Sequence, residues 1–240
     1  MESVLEVVAR TDWSAMPGSD AAFVPEVIAP AFQALAAASS EAEAFAAVRP
    51  LANGGLRHDH SGYLHPAAVA AAPMLLDIAE LSSDAVLPAI GALFLALLRD
   101  SYPWSGAPYA TGSTGEERLL CCAIADTVRT RSTMLTGRGQ CGANLLRAAN
   151  AHWSFTVSEV SEADRSGNVL ALGYLIGAPE RSYAQCELRR PHGQAVTLSA
   201  RVNVLQPPAG HSGEALMRLL GIEPVQLRVG DVLASPCHDR

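Results

Sequence analysis

Apolar positions in the first 150 residues recur at helical spacing. Val86, Leu87, Ile90, Leu93, Phe94, Leu97 and Leu98 repeat at three- and four-residue intervals, which predicts a buried helix over 85–98. Ser82, Ser83 or Asp84 can cap its start, and Arg99 suits its end. Phe23, Val27, Ile28, Ala31 and Leu35 form a similar stripe, as do Phe45, Val48 and Leu51 within 41–52. Pro66 is placed to open a helix carrying Val69, Ala72, Leu76 and Ala79, with a kink expected at Pro73. Leu119, Leu120, Ala123, Ile124 and Val128 predict another helix over 116–135. Residues 136–142 read as a break, and a short helix with Leu145 and Leu146 follows.

From Trp153 onward the period shortens. Phe155, Val157 and Val160 mark a first strand, and the apolar run 169–176 a second. Residues 183–189 give a third. Val196, Leu198, Ala200, Val202 and Val204 alternate with Thr197, Ser199, Arg201 and Asn203 to give a fourth, with one wet face. Short strands at this spacing suggest a small antiparallel barrel. The expected architecture is therefore α+β: a helical domain over 1–150, then a β-barrel domain over 151–240.

Composition sharpens the helical half. Of 42 alanines, 32 fall in residues 1–150. Small side chains let helix axes approach closely, which favours stacked helix pairs over a lone four-helix bundle. One stretch carries a resemblance. His60-Ser61-Gly62-Tyr63, then Pro66-Ala67-Ala68, then Pro73-Met74-Leu75-Leu76 resembles HEAT-repeat-type bacterial proteins over about 45–98. Many of those are presumed immunity proteins encoded beside polymorphic toxins. A second resemblance covers most of 154–236. Phe155-Thr156-Val157-Ser158-Glu159-Val160, the turn with Gly167 and the run 169–177 are similar to the opening of the second domain of elongation factor Tu. Leu219-Leu220-Gly221-Ile222 and Gly230-Asp231-Val232-Leu233-Ala234-Ser235-Pro236 are similar to its close. This resemblance implies that 215–220 is a strand although it could pass for a helix. The chain departs from that pattern before the third strand, where Arg181-Ser182 replaces the usual Gly-Asp turn.

All 17 basic side chains are arginine, and the chain has no lysine. Schiff-base chemistry, a lysine nucleophile and a Walker-A phosphate loop are thereby excluded. Gly137-Arg138-Gly139-Gln140-Cys141-Gly142 is glycine-rich but lacks the phosphate-binding lysine, so no GTPase is carried over with the barrel. No Gly-x-Ser-x-Gly elbow occurs, since Gly112-Ser113-Thr114-Gly115 has the wrong spacing. His58, His60 and His65 are the best metal candidates, but their place between helices favours capping and loop hydrogen bonds. Cys121 and Cys122 read as core, and Cys141, beside arginines, as a thiol of lowered pKa. The expectation is a non-enzymatic protein with no cofactor and no metal.

The five cysteines lack CxxC spacing, and the N-terminus carries glutamates rather than a basic signal segment. The apolar run 85–98 makes about 21 Å of helix, short of a hydrocarbon core of about 30 Å. A cytoplasmic protein without a membrane span is expected. Residues 1–126 hold 15 acids against 5 arginines, and residues 127–240 hold 9 acids against 12 arginines. An acidic first half disfavours nucleic acid and suits a basic protein partner. Tyr102, Trp104 and Tyr109 stand within nine residues on an expected loop over 101–115, flanked by Asp100, Glu116 and Glu117. Rigid aromatics in an acidic field are candidate anchors for that partner. The expected function is binding and neutralising a cognate toxin domain. The alternative is a translation-associated module that engages RNA or a translation factor, with Arg129, Arg131, Arg138 and Arg147 contributing.

Overall fold

The computed structural model describes residues 3–16, 22–58, 63–99, 109–111, 117–161, 167–179, 184–190, 196–198 and 200–235. The chain divides into two compact units, Met1–Ala149 and Asn150–Asp239. The first is mainly helical and the second is an antiparallel sheet, so the protein is of the α+β class. No helix among the described residues is long and apolar enough to cross a membrane.

The helical unit begins with α1 (Val4–Arg10), closed at its start by a capping box between Ser3 and Glu6. A 3-10 turn at Pro25–Val27 leads into α2 (Ile28–Ala37), and a three-residue link joins it to α3 (Glu41–Pro50). Ser40 caps α3 by accepting the Glu43 amide. Next come α4 (Ala67–Leu81) and α5 (Leu87–Arg99). α2 packs on α3, α3 on α5, and α4 on both α5 and α6 (Leu120–Thr130). Alanine makes these approaches close: Ala67, Ala68, Ala71 and Ala72 are all fully buried on one helix. α4 runs continuously through Pro73, although the ring removes the amide that would bond to the Val69 carbonyl.

Three stretches differ from the periodicity reading. The helix expected over 41–52 ends at Pro50, and Leu51–Gly55 forms a wide turn with Gly54 at φ 113°. The helix expected over 116–135 begins only at Leu120, because 117–119 is a strand, β2, paired with β1 at 109–111. The glycines at 112 and 115 are a hairpin signal that the helical stripe obscured. Lastly, α8 (Gly139–Asn150) occupies much of the expected break and follows α7 (Ser132–Thr136) closely. Gly142 is no breaker there. A Cβ at 142 would run into the Leu135 carbonyl, so glycine lets α8 press on α7.

The second unit holds β3 (Ser154–Val160), β4 (Val169–Ile176), β5 (Ala184–Arg189), β6 (Val196–Leu198), β7 (Ala200–Gln206), β8 (Ser212–Leu220) and β9 (Val232–Ala234). The expected fourth strand is thus two strands, β6 and β7. Pairing runs β5–β7–β8–β4–β3–β9 and returns from β9 to β5, while β6 pairs with β5 alone. The inward positions of the alternating strands supply the core, with Trp153, Phe155, Val169, Met217, Leu219 and Leu233 buried. The Asp231 carboxylate accepts the Arg228 amide at 2.9 Å, and the Gly230 amide donates to Val157 at 2.9 Å. With Gly230 at φ 89°, this turn delivers β9 onto β3.

Gly173 on β4 faces the same core. A Cβ there would overlap the Thr156 carbonyl and lie 2.7 Å from Phe155 Cζ. Gly173→Ala is expected to destabilise the sheet unit by about 2 kcal/mol or more, as overpacking does. Urea unfolding followed by Trp fluorescence checks this.

Candidate functional site

The expected partner anchors are only partly placed. Asp100, Tyr102, Trp104 and Glu116 lie outside the described residues. Tyr109 and Glu117 stand in the β1–β2 ladder, Tyr109 opposite Leu119 and Glu117 opposite Thr111. Residues 109–111 of the expected loop are therefore a strand paired with 117–119.

The arginines offered for RNA contact are bound within the helical unit. Arg129 is buried and donates both to the Asp126 carboxylate and to the Ala149 carbonyl. Arg131 pairs with Asp77 and, at 3.4 Å, with Glu80. Arg138 pairs with Asp84 at 2.6 Å and donates to the Glu80 carbonyl at 3.1 Å. Arg147 donates to Asn144 Oδ1 at 3.0 Å. Asp84, expected as a cap for α5, serves Arg138 instead. Arg129, Arg131 and Arg138 pair with carboxylates on α6, on α4 and at the α4–α5 corner, whereas Arg147 is exposed and bonds a neutral amide.

This pairing redraws the charge map. The basic cluster belongs to the helical unit, not to the sheet. Residues 1–149 hold 15 acids against 9 arginines, and residues 150–240 hold 9 acids against 8 arginines. The surplus acid lies early in the chain. Residues 1–50 hold seven acids and two arginines, and Glu6, Asp12, Glu26, Glu41 and Glu43 are all exposed. A hydrogen bond from the Ser14 hydroxyl lowers the Asp12 pKa. The Ser39 amide and hydroxyl, each 2.8 Å from Glu43 Oε2, lower that of Glu43. Both carboxylates stay ionised well below neutral pH. Residues 3–50 thus expose five carboxylates against the two arginines Arg10 and Arg49.

The histidine candidates have structural surroundings. His65 is fully buried, its ring 5.0 Å from that of Phe23 and 5.7 Å from that of Tyr63. Its amide donates to the Leu56 carbonyl, and the His58 amide donates to that of Tyr63. His60 lies outside the described residues. Compared with known proteins, the chain matches no family model and no curated sequence. The site reading therefore rests on geometry.

Cys141 corrects an expectation. Its pKa is raised by burial rather than lowered by nearby arginine, and its thiol lies 3.6 Å from the Leu87 carbonyl. A Cβ at Gly91 would lie 2.7 Å from that sulfur, so the thiol is packed against α5. Since the thiolate is the nucleophile, Cys141 should alkylate more slowly at pH 7.5 than a free cysteine. Its rate should keep climbing with pH above the ordinary thiol range. Peptide mapping after timed iodoacetamide treatment measures this, and a fast neutral-pH reaction would contradict it.

Proposed function

We propose that the chain is a non-enzymatic, cytoplasmic immunity-type protein that binds and neutralises a cognate bacterial toxin domain through its acidic helical surface. The observation that carries this reading is the charge distribution. Arg129, Arg131 and Arg138 pair with carboxylates on α6, on α4 and at the α4–α5 corner, while residues 6–43 display five exposed carboxylates. Such a surface favours a basic protein, steers its approach and repels nucleic acid. We read the helical unit as HEAT-like helix pairs. We read the sheet unit as a barrel of the translation-factor domain 2 type, supported by the return pairing of β9 with β5 and by the Gly230–Asp231 turn. In this reading the aromatic stretch with Tyr102, Trp104 and Tyr109, and its neighbours Asp100, Glu116 and Glu117, adds anchors.

Cells expressing a toxin encoded beside this gene should be rescued by the protein, and the two should associate faster at low salt. Joint reversal of Glu26, Glu41 and Glu43 to lysine should slow association at least tenfold at low ionic strength. Rescue without any salt dependence would overturn the electrostatic part of the reading. Trp104→Ala should weaken the complex by about 2 kcal/mol or more if it is an anchor. Titration calorimetry distinguishes that from a bystander residue, whose loss leaves affinity unchanged.

A further inference from the structure

α2 and α3 form a hairpin whose outer side is a groove of about 820 Å³. Its walls include Ala34, Ala37, Ala38 and Ala46, so no large side chain fills it, and Glu26 and Glu43 also line it. In a hairpin, the start of α2 lies beside the end of α3. Glu26 therefore stands at the end marked by Pro50, and Glu43 at the end marked by Ser39. The ten residues of α2 set these carboxylates roughly 15 Å apart along the groove. No cation lines it among the described residues. Hydrogen bonds from Ser39 keep Glu43 ionised.

We propose that this groove is the docking site for an amphipathic helix of a basic partner protein. That helix carries alanine or leucine on one face and arginine or lysine near both ends of it. Alanine walls let the helix backbone approach closely, and apolar contact supplies the non-directional attraction. Two cations on one face, about eleven residues or three turns apart, match the two carboxylates. The proposal rests on the partner-binding reading above and makes the groove the contact region within that acidic surface.

The probe is a synthetic 20-residue helical peptide with alanine and leucine on one face and arginines eleven positions apart. A scrambled peptide of equal charge without an apolar face is the control. Binding is read by fluorescence anisotropy with the full chain. The helical peptide should bind at least tenfold more tightly than the scrambled one. Ala34→Trp and Ala46→Trp fill the groove at exposed positions and should each weaken binding at least tenfold, with the circular dichroism spectrum unchanged. The Glu26→Gln, Glu43→Gln pair should weaken it at least fivefold at low salt. Equal binding of the two peptides, or indifference to both tryptophans and to the glutamine pair, overturns the proposal. Toxin rescue that survives the tryptophan variants also overturns the groove but leaves the immunity reading standing. Peptide binding without any rescue by the wild type sinks only the immunity reading.

Discussion

The guanidinium of Arg129 lies buried between Asp126 on its own helix and the Ala149 carbonyl at the far end of α8. Its bond to Ala149 ties α6 to α8, while its bond to Asp126 stays within α6; both are charge-assisted. Removing it would leave Asp126 and a helix-end carbonyl without this partner, the costly side of burying polar groups. Arg131 and Arg138 stand on either side of α7 and reach back to Asp77, Glu80 and Asp84. These outer pairs are partly exposed, and pairs of this kind contribute about 0–1 kcal/mol each. Their larger effect is electrostatic. They offset acids of α4 and of the corner after it, and the larger acid surplus of the unit lies in residues 1–50.

Packing and charge therefore act on the same elements. Alanine allows α4 to lie close against its neighbours, and the same residue lines the outer side of the α2–α3 hairpin. Away from the groove, Phe32, Leu35, Ala44 and Val48 are buried and hold the pair to the unit. On the outer side, short side chains leave a channel where larger ones would have filled it. The sheet unit contrasts with this. Its core uses larger residues, its strands pair back on themselves, and its acids and arginines nearly balance. The acid surplus lies in the helical unit rather than in the sheet unit.

Much of this fold was legible where structure depends on local pattern. The apolar run of β4 and the stripe of α5 identify their elements, and the similarity at 215–220 favours the strand that the structure has there, where periodicity is ambiguous. The misses share a cause. Glycine at 139 and 142 reads locally as a break, yet Gly142 is required by contact with the Leu135 carbonyl. The helical stripe is interrupted at 117–119 because these residues pair with 109–111 rather than continuing the helix. For the site, the acid excess was visible but its border was not. Arg138 and Asp84 are 54 positions apart, so the sequence counts both charges without revealing that they cancel. Cys141 was misread for the same reason: arginine is near in sequence, while the Leu87 carbonyl and Gly91 are near in space.

The absence of lysine bears on this arrangement through geometry. A guanidinium presents five donors in a planar fork, whereas an ammonium is a compact point charge. Arg129 and Arg138 each use their fork to serve a carboxylate and a backbone carbonyl at once. Each cation thus satisfies an acceptor of the fold while cancelling one acid. Few cations then suffice to fasten α6–α8 to the rest of the unit. The surplus on α1–α3 follows from where the forks are anchored as well as from how many acids the chain contains. Moving one of those forks to the α2–α3 hairpin would weaken the fastening and the negative surface together.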